Sequence, residues 1–397
     1  MFDFFTGSEW TAVCNHYAPA AGKATERMAY IRVLERSIGE LYDSHAHLAV
    51  NTPSSPRLVP SQADLMAQWV DERAIITDVR DGSAPQIAGI RAGDEILSIG
   101  NATAGEAADE FSPRFLRNPD ASARDWALQV ALAGRRDKAV VRLKLKTNSS
   151  IRQVEYAGPA QKTTARLSSN MIDRIGYLRI NNSLGDQSLV DDFDAAIGQM
   201  AEAQALIIDL RDTPSGGNTS VARGILSRLI GSVVPYQRHE HVGEYRSTGI
   251  RRIWTEYVAP RGVEFSKPIV VLVGRWTGSM GEGLAIGLNA TRSAPVLGRP
   301  MARLLGALGE FSLPQSRIVV RVPVEKLFHV DGTPREAYLP RSVAKGVSPG
   351  QADAELIAAL ELARTLVRTE PTQPGVAPHA SSPLNADFGP HGRTGHK

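Results

Sequence analysis

Cysteine is almost absent from this chain. Its 397 residues include one, Cys14, which excludes an internal disulfide framework. With no His/Cys cluster at metal-ligand spacing, no metal site is expected, and the lone thiol reads as a small buried apolar side chain. No nucleotide-binding signature is present, so no cofactor is expected either. Aromatic residues make up 6% and the net charge is only +3. No Lys/Arg run with interleaved aromatics occurs, which argues against nucleic acid as a partner. No stretch approaches the roughly 18 apolar residues of a membrane span. The opening Met1-Phe-Asp-Phe-Phe-Thr-Gly7 has neither the basic start nor the apolar run of a signal peptide. A cytoplasmic protein is expected, or an extracytoplasmic (periplasmic or secreted) one if a leader precedes this sequence.

The apolar fraction of 42%, with 35 Gly and 24 Pro, describes a turn-rich globular chain long enough for two or three domains. Residues 1–55 read as a helical segment. Within it, Met28, Ile31, Leu34, Ile38 and Leu41 recur at helical spacing and lead into Asp43-Ser-His-Ala-His-Leu48. A Pro/Ser-rich linker spans 51–60. Residues 62–148 form a compact unit, with strands over 74–79, 95–100 and 139–145, a helix over 123–133, and a loop insertion over 101–121. From 160 to 368 strands and helices alternate. The strands at 205–211 and 268–273 are almost continuously apolar, as sheet strands covered on both faces must be. Helices are expected over 191–202, 220–230, 280–290 and 352–367. The pattern is a layered α/β architecture. The remainder, 369–397, is rich in Pro, Gly, Ser and His and is expected to be a disordered tail.

Ser279 is the candidate nucleophile. It lies just past a buried strand, in a Gly-flanked turn, at the start of a helix. Amides there point outward and the helix dipole favours developing negative charge, so the Met280 amide suits an oxyanion. Helix capping is the bland use of such a serine. A second turn, Asp209-Leu-Arg-Asp-Thr-Pro-Ser-Gly-Gly-Asn218, ends the neighbouring α/β unit. Its glycines, Gly216 or Gly217, can supply another oxyanion donor from the same sheet edge. A serine needs a base. No Lys lies between Ser279 and Lys326, and Lys267 sits at the wrong end of its strand. His45 is therefore the better candidate, with Ser44 beside it. His47 would point the opposite way in an extended segment, and His329, on an apolar run, reads as structural. Glu336, in a turn after the last strand, is placed to orient an imidazolium.

These blocks resemble the carboxyl-terminal processing (tail-specific) proteases and the tricorn core protease, one superfamily of serine peptidases. Asp209-Leu-Arg…Gly216-Gly217 resembles its Asp-x-Arg-x-Asn-x-Gly-Gly block, and Val271 to Glu282 its nucleophile block. Gly82-Ser-Ala-Pro and Ala88-Gly-Ile-Arg-Ala-Gly-Asp-Glu-Ile96 look like its PDZ domain. The resemblance implies a ClpP/crotonase-like α/β core with an N-terminal helical segment and an inserted PDZ domain. It also implies peptide-bond hydrolysis of peptide or protein substrates, either as an endopeptidase or by processing C-terminal tails. One branch of the family takes its base from a Gly-Lys-Gly turn. Here the matching stretch, 298–306, has no Lys. The tricorn-like branch uses a Ser-His-Ser-Glu tetrad with its His in an Asp-x-His motif, which Asp43-Ser44-His45 resembles. That implies Ser279 as nucleophile, His45 as base, Ser44 and Glu336 as its support, and Gly216, Gly217 and Met280 around the oxyanion. Ala337 and Arg341 stand where the family usually has Gly and Asp, and no Gly-Leu-Gly-Phe-type loop precedes Ala74. A non-catalytic binding or scaffold protein on the same fold is the rival reading. An acyl-thioester enzyme on the crotonase-like fold is a third.

Overall fold

The computed structural model describes residues 7–138, 140–158, 165–343 and 353–369. Three sheets organise them. The central one orders its strands Val296–Gly298, Ile269–Val273, Ala205–Asp209, Ile175–Ile180 and Leu167–Ile172; all neighbours run parallel except the last pair. Alternation along the apolar strands fills two layers. Leu206, Ile208, Val271 and Val273 pack with Phe193, Ile225 and Leu284 from helices Leu189–Gln199, Thr219–Leu226 and Met280–Arg292. On the other face Ile207, Val270 and Leu272 meet Ala359, Leu360 and Ala363 of the last helix, Ala354–Thr369. Covering both faces is what allows near-continuous apolar strands. The expected tail lies outside the described residues.

A second, antiparallel sheet carries His47–Leu48, Val319–Phe328, Val234–His241 and Ile253–Val258, with Ala307–Ser312 on the long strand's other edge. Its strands mix polar and apolar residues and have little periodicity, so the sequence reading missed this sheet. It matters because His47 pairs with Arg321 and Leu48 with Val320. Two residues of pairing thus fasten the end of the N-terminal segment to the core. Before it run helices Trp10–Lys23 and Arg27–Gly39. Val13 is buried on the first helix, while Cys14 is exposed. The expectation of a buried thiol is thereby corrected, since one step along a helix turns a side chain by about 100°.

The third sheet orders Leu65–Val70, Arg73–Val79, Glu95–Ile99, Val140–Thr147 and Ser150–Ala157. Helix Ala121–Ala133 packs along Leu65–Val70 and buries Ala127, Leu128 and Leu132 against Ile76, Ile96 and Leu143. The expected loop at 101–121 contains strand Ala102–Thr103 and helix Ala104–Asp109. A reciprocal cap between Thr103 and Glu106 starts that helix, and this is a short local signal easily lost in a polar stretch. Polar contacts dock the module on the core. Trp276 Nε1 donates to Ala63 O at 2.7 Å, Arg80 Nε to Asp212 at 3.0 Å, and Arg299 pairs with Asp78.

Candidate active site

Two loops leave the carboxyl ends of strands Ala205–Asp209 and Ile269–Val273 and run side by side. Thr213 N–H donates to Trp276 O at 3.0 Å, Gly278 N–H to Thr213 O at 3.2 Å, and Thr277 Oγ1 to Leu210 O at 2.8 Å. This crevice beyond adjacent parallel strands is where α/β sheets place ligands. Ser279 sits in it at φ 52° and ψ −115°, a conformation that a residue with a Cβ adopts only at a cost on the order of 1–3 kcal/mol. Gly216 explains why its own position has no side chain. A Cβ there would fall 2.4 Å from Ser279 Cβ and 2.9 Å from Met280 N, on a backbone already at φ +65°.

Glu282 holds the strained turn. It is fully buried, and its carboxylate accepts the Ser279 N–H at 2.8 Å, the Arg303 N–H at 2.8 Å and the Leu304 N–H at 3.3 Å. The next residue, Leu305, offers its carbonyl to His45 Nδ1 at 2.7 Å. The segment 303–306 is therefore a hub, tied to Ser279 on one side and to His45 on the other. A carbonyl only accepts, so the shared hydrogen belongs to Nδ1, and Nε2 of the neutral ring keeps its lone pair. Asp43 Oδ1 accepts the His45 N–H at 2.9 Å and fixes the bend before it. Arg335, 3% exposed, donates to Leu304 O at 2.8 Å and to Gly306 O at 2.9 Å, completing the hub.

Burial governs the charges here. Desolvation, with the Arg335 charge second, pushes the His45 imidazole down to about 3, so the ring is neutral. Burial raises the Asp43 and Glu282 carboxyls to about 7, against the opposing pull of amide donors and Arg335. Arg335 is lowered by burial, with Glu282, Glu336 and Asp43 as its nearby acids. Sequence reasoning missed both Glu282 and Arg335. The one available signal was a carboxylate three residues into a helix that begins with Ser, the spacing of a reciprocal cap.

The remaining candidates are spread around this centre. Ser44 makes no hydrogen bond to the His45 ring. It lines, with Tyr17, Glu40, His47, Phe111 and Trp126, a cavity of about 280 Å³ between the N-terminal helices and helix Ala121–Ala133. Glu336 lies in the short 3-10 turn Arg335–Ala337, and its backbone carbonyl, rather than its carboxylate, accepts from Arg303 Nε at 2.8 Å. Arg341 anchors that turn by pairing with Leu297 at the sheet edge. The Gly216 N–H already donates to Thr213 O at 3.2 Å. The Gly217 and Met280 N–H groups have no acceptor among the described residues. His329 is buried beside Asp331 and Tyr338. Among the described residues no group of His, Cys, Asp and Glu could hold a metal ion, and no helix is long and apolar enough to cross a membrane.

Residues 174–349 match the profile of peptidase family S41, and residues 56–123 match that of the PDZ domain. The match marks the core as that of a serine-type peptidase. The overall fold also resembles solved structures. Mature CPAF in complex with lactacystin has a TM-score of 0.56 at 16% identity, over 92% of this chain and 93% of that one. The photosystem II D1 C-terminal processing protease gives 0.55 at 15% identity, over 91% and 92%. At such identities the likeness is one of fold. Nothing among curated proteins matches the sequence. The peptidase thus combines a layered α/β core, a PDZ module and N-terminal helices, the architecture expected from its sequence.

Proposed function

We propose that this S41 peptidase cleaves peptide bonds through an acyl-enzyme on Ser279, with His45 as its general base. Ser279 Oγ attacks the scissile carbonyl as its proton passes to His45 Nε2. The oxyanion is received by the free N–H groups of Met280 and Gly217, and Gly216 supplies the room. The C–N bond breaks as His45 returns the proton to the leaving amine. Water then attacks the ester by the same proton route and frees Ser279. Substrates are peptides or proteins, cut internally or at C-terminal tails. The tail mode is in keeping with the photosystem II D1 C-terminal processing protease, which shares the fold.

One observation carries the reading: the hydrogen bond from His45 Nδ1 to Leu305 O, which leaves the Nε2 lone pair free next to a hub that also grips Ser279. In this reading the backbone carbonyl orients the ring, the role a carboxylate plays in other triads. In the tetrad reading Ser44 and Glu336 support the base, and their side chains turn toward the ring when substrate binds. Apo catalytic contacts commonly tighten in this way. Hydrolysis of quenched fluorescent peptides by wild type, Ser279→Ala, Ser44→Ala and Glu336→Gln tests the scheme. Ser279→Ala is expected to abolish turnover, and Ser44→Ala and Glu336→Gln to lower kcat about tenfold. Full turnover in Ser279→Ala would refute the nucleophile, and full turnover in both of the others would reduce the tetrad to a Ser-His pair.

A further inference from the structure

A strand at the edge of a sheet offers alternate N–H and C=O groups to any extended chain. Adding a peptide to such an edge is how PDZ modules capture their ligands. In this module Leu65–Val70 pairs with Arg73–Val79 along one side only. Leu65, Ala67 and Trp69 turn their backbone groups outward, and helix Ala121–Ala133 takes three of these: the Leu65 carbonyl and the Ala67 and Trp69 N–H groups. Gln129, 8% exposed, donates through Nε2 to Leu65 O at 2.7 Å and accepts the Ala67 N–H through Oε1 at 2.9 Å. A primary amide that bridges a carbonyl and an N–H two residues apart reproduces the pairing an added strand would make. Asp125 Oδ1 accepts the Trp69 N–H at 2.7 Å. Trp69 Nε1 donates to Arg124 O at 3.2 Å, and the Arg124 guanidinium lies 5.2 Å over the Trp69 ring while making a bidentate pair with Glu72.

We infer that Gln129 and Asp125 form an internal latch on the PDZ sheet edge. An extended peptide can add to Leu65–Val70 only after displacing them. As built, the module holds its own substitute for a ligand, and tail capture at this edge is conditional on opening the helix. The inference borrows from the peptidase reading only the choice of a peptide as ligand. The latched strand is also mechanically close to the core. Its partner strand carries Asp78, paired with Arg299, and Arg80, which follows that strand, bonds Asp212 in the loop leading to Gly216.

The test uses the full chain with Ser279→Ala, so that no peptide is cleaved. The probe is a fluorescein-labelled hexapeptide ending in two leucines with a free carboxylate. Amide exchange of fragments covering 65–70 is followed by mass spectrometry, and binding by anisotropy. In the parent, exchange at 65–70 is expected to be slow and unchanged by the probe. Adding Asp125→Ala and Gln129→Ala is expected to speed exchange there about tenfold and to tighten probe binding about tenfold, with the probe restoring protection. Should that double variant melt early, Gln129→Met keeps the side chain's size but can neither accept from Ala67 N–H nor donate to Leu65 O, and is expected to bind the probe more tightly than the parent. Probe-induced protection of 65–70 in the parent, equal to that in the variant, would overturn the latch. So would a folded variant with no gain in binding. Fluorophosphonate labelling of the same latch variants with Ser279 intact reads the catalytic centre separately, so failure of one reading is not mistaken for failure of the other.

Discussion

The two loops around Ser279 and the PDZ strand edge treat the same backbone groups in opposite ways. At the active site the Gly217 and Met280 N–H groups have no acceptor among the described residues. At Leu65–Val70 three outward groups, the Leu65 carbonyl and the Ala67 and Trp69 N–H groups, are closed by Gln129 and Asp125. Unpaired polar backbone is costly when it is shielded from water; the exposed Gly217 N–H is satisfied by solvent, whereas the buried Met280 N–H is the donor for which an incoming acceptor matters most. The core is thus organised for a visitor, and the PDZ edge is organised to do without one. Strain follows the same division. Ser279 is held at positive φ by Glu282, whereas the latched edge strand has no positive-φ residue.

The sharpest way to break this contrast is to fill the open site. Gly216→Ala puts a Cβ against Ser279 and Met280, and kcat/KM is expected to fall by at least about 100-fold with the thermal midpoint of the PDZ module unchanged. Retained activity would show that the Gly216 gap is not needed. Next in size is Glu282→Ala, which removes the acceptor shared by Ser279, Arg303 and Leu304. A fall in kcat of about 10- to 100-fold with little change in KM is expected, and Glu282→Gln should recover part of it. Equal kcat in wild type and Glu282→Ala would separate the hub from catalysis.

Titration gives a smaller effect with a definite sign. The folded-state pKa of Asp43 is raised to about 7 from an ordinary value near 3.8. Its stabilising contribution is therefore complete below about pH 4 and lost as pH rises to about 7. Asp43→Asn keeps an acceptor for the His45 N–H but does not titrate. The melting temperature of the variant minus that of wild type should rise between pH 5 and pH 8, by a few degrees. A difference that falls with pH would contradict the buried, raised carboxyl. The smallest effect belongs to the latch. Gln129→Ala should lower the melting temperature by about 2–4 °C while peptide hydrolysis stays within about twofold. A large loss of activity would mean that the PDZ edge and the core are not separable.

Much of this contrast was legible in the sequence, but unevenly. The apolar strands 205–211 and 268–273 announced the central sheet because both of their faces are covered, and the Gly-flanked Ser279 announced a turn at its carboxyl end. The Asp43-Ser44-His45 segment could be picked out by its residue types and the shortage of Lys. What joins it to Ser279 could not be. The hub at 303–306 works through backbone carbonyls and amides, which carry no sequence signature, and through Arg335 and Glu282, whose roles depend on burial. Ser44 and Glu336 were placed by pattern alone, and the fold turns Ser44 toward the cavity beside Tyr17. Cys14 went astray because a lone residue on an amphipathic helix gives no warning of which way it faces.

The central claim is that a neutral His45, oriented from Nδ1 by Leu305, activates Ser279. It is tested most directly by the rate at which a fluorophosphonate labels wild type and His45→Ala, with the labelled residue located by peptide mass spectrometry. The account predicts labelling of Ser279 in wild type and a rate at least about 100-fold slower in His45→Ala. Equal rates in the two proteins, or label on another residue, would contradict it.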